Sequence, residues 1–256
     1  MTAHPAVFAG HGSPMNAVED TDVRRAWSAL GETLPRPKAI LCVSAHWETE
    51  GVAVTTGEKP GTIHDFRGFP KELHELAYPA PGSPELARKV AELLKPEAVA
   101  LDEERGLDHG AWSVLAAMHP KADVPVVQLS LDSTRSGPEH AALAARLAPL
   151  RDEDVLVLAT GNIVHNLSFY DPRRSEPYDW AARFDAKVKA LIEAGDLDTL
   201  ADYDGLGPDT ELAIPSPEHY LPLLYILALR RKGEKLAFFN EAVESSMSMT
   251  GVVVGG

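Results

Sequence analysis

Ten histidines and a single cysteine frame the chemistry open to this chain. Three of the histidines come after apolar runs that read as strands. His11 follows residues 6–9 in Gly10-His11-Gly12-Ser13-Pro14, and His46 follows residues 40–43 in Ser44-Ala45-His46-Trp47. His165 follows residues 155–159 in Gly161-Asn162-Ile163-Val164-His165-Asn166. Ligands of open α/β sheets collect at the carboxyl ends of strands, where residues distant in sequence converge. The glycines flanking His11 let the backbone approach a ligand closely. A fourth candidate, His219, falls in the first turn of an apolar helix expected over residues 217–231, with Ser216 as cap. A histidine buried there needs a polar partner, and a metal is one. The positive helix end also keeps its ring neutral, as a ligand must be. His109, just before a helix expected over residues 111–118, is a fifth; Asp108 is too near in sequence to be assumed its partner.

Taken singly, a strand-end histidine is more often a satisfied structural residue. Several at strand and helix ends favour one shared site. Neutral imidazoles with one or two open positions suit catalytic zinc or Fe(II). His4, His74, His119 and His140 read as structural or solvent-exposed, whereas His64 either lines the site or caps a turn. The spacing is not diagnostic by itself, because the sequence has neither a His-x-x-x-His nor a Cys-x-x-Cys pair. Walker and Rossmann spacings and the Gly-x-Ser-x-Gly elbow are absent too, which argues against nucleotide binding and serine hydrolysis.

The elements that must position these residues alternate between strand-like and helix-like runs, the pattern of a layered α/β fold with a mixed, largely parallel sheet. Strands are expected at 6–9, 39–44, 52–56, 125–131, 155–160, 236–239 and 250–254, with 52–56 an antiparallel neighbour of 39–44. Helices are expected at 23–33, 85–94, 111–118, 138–147, 180–194 and 217–231. Residues 58–84 and 203–216 read as loops, and long loops in compact domains are usually lids or site walls. One domain absorbs all 256 residues. A net charge of -14 repels phosphate backbones, so nucleic acid is excluded as a partner. The longest apolar stretch, residues 220–229, is about half the ~20 residues needed to span a bilayer. Cys42 lies in an apolar run, as a buried structural thiol does. With no disulfide and no targeting pattern at Met1-Thr2-Ala3-His4-Pro5, the expected compartment is the cytoplasm.

Several motifs, in order, resemble one family. They are Gly10-His11-Gly12-Ser13-Pro14-Met15, Ser44-Ala45-His46-Trp47-Glu48-Thr49, His64-Asp65-Phe66-x-Gly68-Phe69-Pro70 and Tyr78-Pro79-Ala80-Pro81-Gly82. They continue with Gly106-Leu107-Asp108-His109-Gly110-Ala111-Trp112, Gly161-Asn162-x-x-His165-Asn166, Glu218-His219-Tyr220-x-Pro222-Leu223 and Ser248-Met249-Thr250-Gly251. Nearly the whole chain thus resembles the class III (LigB-type) extradiol ring-cleavage dioxygenases, nearest the 4,5-DOPA extradiol dioxygenase-like branch. The resemblance implies a three-layer α/β/α fold and one divalent metal per subunit, Zn2+ or Fe2+. It implies His11, His46 and His219 as ligands, with His165 beside the metal as acid/base or fourth ligand and His109 near the substrate. Asn16, Trp47, Phe66, Phe69 and Tyr220 are the expected pocket walls. The implied partners are a small aromatic diol and dioxygen, with a homo-oligomer left open. From the residues alone, a zinc hydrolase and a non-catalytic metal- or ligand-binding protein stay open as alternatives.

Overall fold

The aliphatic runs at the chain's centre are strands buried on both faces, as continuous apolar strands of parallel sheets are. The computed structural model describes residues 3–255; Met1 and Thr2, the head of the stretch read for a targeting pattern, and Gly256 lie outside the described residues. In chain order the elements are β1 (Ala6–Gly10), α1 (Asp22–Thr33), β2 (Ala39–Thr49), β3 (Val52–Thr55), α2 (Lys71–Glu75), α3 (Pro84–Leu93), β4 (Val99–Asp102) and α4 (His109–Met118). There follow β5 (Val126–Asp132), α5 (Gly137–Ala145), β6 (Val155–Gly161), α6 (Asp179–Ala194), α7 (Leu197–Ala201), α8 (Thr210–Ala213) and α9 (Leu221–Ala228). Last come β7 (Leu236–Phe239), β8 (Val243–Glu244), β9 (Met247–Ser248) and β10 (Gly251–Val254).

Eight strands form one sheet in the order β4-β3-β5-β2-β6-β1-β10-β7. Its centre, β5-β2-β6-β1, is parallel. Antiparallel pairing enters at β3 against β5 and at β10 against β1 and β7. Side chains alternate across the sheet. Leu41, Val43, Val157 and Phe8 pack with α3, α5, α6 and α9 on one face. Ile40, Cys42, Leu158 and Val7 pack with α1 and α4 on the other. The result is the expected three-layer α/β/α arrangement with a mixed, mostly parallel sheet. Cys42 is fully buried, and burial pushes its thiol well above the usual range. No helix among the described residues is long and apolar enough to cross a membrane.

Local features differ from the sequence expectation: short helices α2 and α8 lie within the two stretches read as loops, and four other differences concern the sheet and the His219 turn. Strand β2 runs on to Thr49, so His46 lies within it, beyond a register shift against β5 between Val43 and Glu48. Strand β3 does not neighbour β2; β5 inserts between them. Strand β4 escaped notice because it is an edge strand whose Ala100 and Leu101 face solvent. The helix expected over 217–231 is instead a 3-10 turn, Pro217–His219, followed by α9. Pro222 has no N–H to continue an α ladder out of that turn, so it takes a place at the start of a new helix.

Candidate metal centre

The parallel strands deliver their carboxyl ends to one edge, and the histidines gather there. His11 leaves β1 almost wholly buried, and its backbone N–H donates to the Gly161 carbonyl at the end of β6, 3.1 Å away. His46 on β2 brings Nε2 to 3.0 Å from Nε2 of His11. His109 opens α4 with its ring centroid 3.9 Å from that of His46 and 5.8 Å from that of His11. One donor atom from each of His11, His46 and His109 lies within 4.8 Å of the others. Gly110 permits this convergence: a Cβ there would stand 2.5 Å from Ser44 Oγ and 2.8 Å from His46 Cδ2.

A second group, His165, Glu218 and His219, faces the first. The rings of His165 and His219 stack at 3.5 Å with a 5° interplanar angle. His219 sits 5.0 Å from His46 and 5.3 Å from His11, centroid to centroid, so five rings form one cluster. Its 3-10 turn is locked to β6, because Asn162 N–H donates to the His219 carbonyl at 2.8 Å. A Cβ on Gly161 would meet that same carbonyl oxygen at 2.2 Å, so only glycine fits there. His219 Nδ1 lies 3.0 Å from Glu218 Oε1, which makes Nδ1 the protonated nitrogen and leaves the Nε2 lone pair free.

Electrostatics keep four of the five rings neutral. Burial, then the neighbouring imidazoles, push His11 and His46 well below the usual histidine range. His165 is pushed down to about 3 by burial and by His219. Burial also lowers His219, against the opposing pull of Glu218. Neutrality here therefore comes from burial rather than from a helix dipole, the 3-10 turn being too short to supply one. Three nitrogens of the cluster, His11 Nδ1, His109 Nδ1 and His219 Nε2, are buried without a hydrogen-bond partner. Buried polar atoms are rarely left so, and a cation held between the rings would satisfy His219 Nε2. A divalent cation fits: neutral imidazoles are its ligands, and Zn–N bonds of about 2.0–2.1 Å are compatible with the close His11–His46 approach.

Below the rings lies a polar layer that the sequence reading passed over. Asp108 is wholly buried and caps α4 by accepting the Ala111 N–H at 3.1 Å. It also accepts from Ser44 Oγ and Gln128 Nε2, each at 2.7 Å. Arg105 donates to the His46 carbonyl at 3.1 Å and lies 3.4 Å from Asp108. Asp65 places Oδ1 2.9 Å from His109 Nδ1 and Oδ2 3.8 Å from His46 Nδ1. The Asp-x-x-Ala cap was a local signal for Asp108. Asp65 had none beyond its place beside His64.

The expected wall residues divide. Phe66 lies edge-on to His109 at 5.5 Å and packs on Phe69 at 5.3 Å. Asn16 donates to the His11 carbonyl at 3.2 Å. Trp47 is buried beneath the Arg105 guanidinium, 4.6 Å from its ring centroid. Tyr220 lies elsewhere: its ring packs in the α5–α9 layer and its hydroxyl donates to the Leu200 carbonyl at 3.1 Å. His64 hydrogen-bonds the Leu76 carbonyl at 2.9 Å and so braces its own loop. His140 is buried with Nδ1 3.0 Å from the Tyr225 hydroxyl, a structural role.

Fold and site together define an α/β protein with a histidine-built, carboxylate-backed metal centre at the carboxyl edge of its sheet. Within that class, residues 1–254 match the family described as the catalytic LigB subunit of aromatic ring-opening dioxygenase. The chain is 48% identical to 4,5-DOPA dioxygenase extradiol of Escherichia coli K12, over 99% of this chain and 96% of that protein. It is 37% identical to the protein of the same name from Beta vulgaris, over 95% and 93% of the two chains. The crystal structure of an uncharacterised Escherichia coli K12 protein superposes with a TM-score of 0.87 at 43% identity, covering 98% of this chain and 100% of that one. The chain belongs to the LigB family of class III extradiol dioxygenases, and it is an extradiol aromatic ring-opening dioxygenase, an oxidoreductase. The hydrolase and binding-protein alternatives close on that finding.

Proposed function

We propose that the whole chain acts as one cytoplasmic catalytic domain that opens a DOPA-like catechol at a single Fe(II), with His11, His46 and His219 as ligands. The observation that carries this reading is the convergence of the histidine rings at the sheet edge, with His219 Nε2 buried and unpartnered. The names of the relatives at 48% and 37% identity support the catechol class. The same donor set accommodates zinc, but zinc has no redox chemistry, so zinc would occupy the site without supporting turnover. Held by His11, His46 and His219, the metal would supply Lewis-acid activation of the diol and redox chemistry toward dioxygen.

The chain's own residues do the rest. His165 is neutral in the resting site, ready to take a proton from a substrate hydroxyl and return it later. His109, with Nδ1 toward Asp65, presents its other nitrogen to the diol. Phe66 and Phe69 on the 58–84 loop wall off one side and exclude water, while Asn16 fixes the His11 backbone. The test is anaerobic loading with Fe(II) or zinc, then turnover on a panel of catechols. Turnover by the Fe(II) form alone, best on the DOPA-like member, is expected; equal turnover by the zinc form would overturn the metal assignment. His165→Ala is expected to bind metal and catechol as the parent does while kcat falls by about 10²-fold or more, the scale of a lost acid/base. A variant that turns over at the parent rate would remove His165 from that role.

A further inference from the structure

Asp65 is a half-buried carboxylate whose two oxygens face two different rings of the cluster. The loop that carries it is a fixed wall. Ile63 N–H donates to the Leu107 carbonyl and Leu107 N–H to the Gly61 carbonyl, both at 2.7 Å. Trp112 Nε1 of α4 donates to the Ile63 carbonyl at 2.8 Å, and Tyr78 N–H donates to Thr62 Oγ1 at 2.9 Å. Asp65 is thereby held against the start of α4, where Oδ1 accepts the His109 backbone N–H at 3.0 Å.

We propose that Asp65 is a positioning residue of the centre, setting the tautomer and orientation of both His109 and His46 so that the Nε2 lone pair of each is turned inward. The proposal rests on the metal reading of the cluster. A carboxylate accepts hydrogen bonds and cannot donate them when ionised, so the nitrogen facing it carries the proton. For His109 that nitrogen is Nδ1, at 2.9 Å, although the angle falls short of a well-directed hydrogen bond. For His46 the 3.8 Å contact is electrostatic, and it favours the same tautomer, with Nε2 toward His11. Glu218 does for His219 what Asp65 does for this pair. Two outer carboxylates thus orient three of the five rings, and they supply from behind the imidazoles the negative charge that a two-histidine, one-carboxylate site supplies directly. Asp108 cannot share the task, because its oxygens are engaged by Ser44, Gln128 and the Ala111 amide.

The experiment uses the full chain and Asp65→Asn, with Asp65→Glu as the conservative rescue. Asparagine with its oxygen at the Oδ1 position keeps both His109 contacts but turns its NH2 group toward His46, inverting the demand on His46 Nδ1. Imidazole 15N shifts of the metal-free parent are expected to show His46 and His109 protonated at Nδ1. In Asp65→Asn, His46 moves to the Nε2-protonated form, circular dichroism is unchanged, and Zn2+ and Co2+ affinities measured by chelator competition fall about 10–100-fold, the usual cost of losing an outer-shell partner. Asp65→Glu recovers part of the loss. Parent-like affinity and tautomers in Asp65→Asn, or Nε2-protonated rings in the parent, would overturn the role of Asp65 alone. Failure of the parent to bind either ion would instead defeat the metal reading and this inference with it.

Discussion

Asp108→Asn is a nearly isosteric change at a side chain with no solvent exposure, so its effect reads the polar layer under the histidines directly. One oxygen of the asparagine can still accept from Ser44 and cap α4. Its NH2 group then faces the Gln128 NH2 across the 2.7 Å now spanned by a hydrogen bond. Flipping Gln128 gives no relief, because its Oε1 already accepts the Asp108 backbone N–H at 3.0 Å. Flipping the asparagine instead sets its NH2 group against the Ala111 N–H. A hydrogen bond to a charged group contributes about 1.5–3 kcal/mol, and Arg105 loses its carboxylate as well, so the expected cost is about 3 kcal/mol. Asp108→Ala also removes the helix cap, worth about 0.5–2 kcal/mol, and leaves Ser44 without its acceptor. In a chain of this size 1 kcal/mol moves Tm by roughly 2–4 °C, which predicts a fall of roughly 6–12 °C for asparagine and more for alanine. Thermal unfolding of the metal-free proteins, followed by circular dichroism at one scan rate, measures it without a contribution from bound ligand. An asparagine variant within 2 °C of the parent, or an alanine variant more stable than asparagine, would refute the reasoning.

Other outcomes follow from the same geometry. Gly110→Ala, which in an ordinary helix stabilises by about 1 kcal/mol, is expected here to destabilise by about 1–3 kcal/mol and to weaken metal binding, because the new Cβ collides with Ser44 and His46. A raised Tm with parent metal affinity would contradict this. Acid is expected to destabilise the metal-free protein below about pH 6.5, the ordinary histidine value. His140, pushed down to about 4 by burial, and His165, pushed down to about 3, bind protons more readily when unfolded. Their stabilisation is therefore full above the unfolded value and lost as pH falls through the folded one, for His140 roughly 3 kcal/mol over that window. Denaturant midpoints between pH 8 and pH 4 check it, and a flat profile down to pH 4 would count against neutral, buried rings.

Much of the centre was legible because its ligands follow continuous apolar strands. Residues 6–9 and 155–159 announce β1 and β6, and the histidines after them land on the same sheet edge. His46 was harder to place, since the register shift that carries β2 to Thr49 leaves no alternating pattern around it. His219 was found for an incomplete reason: Pro222 breaks the helix that was to hold it, and burial takes the place of the dipole. Tyr220 neighbours His219 in sequence, yet its side chain runs the other way, a direction that only tertiary packing decides. The roles of Asp65 and Asp108 were not legible because their partners lie far along the chain, 44 residues away for the His109 amide and 64 for Ser44. A carboxylate's acceptor role is written in the fold rather than in its neighbours.

The central claim is that the histidine cluster at the sheet edge is the ring-opening centre, and oxygen uptake tests it most directly. The Fe(II)-loaded parent, mixed with a DOPA-like catechol in an oxygen electrode, is expected to consume one dioxygen per ring opened and to yield a muconic semialdehyde-type product. His46→Ala, folded and treated identically, is expected to consume none. A metal-loaded parent that takes up no oxygen with any catechol, or a His46→Ala variant that matches the parent, would contradict the account.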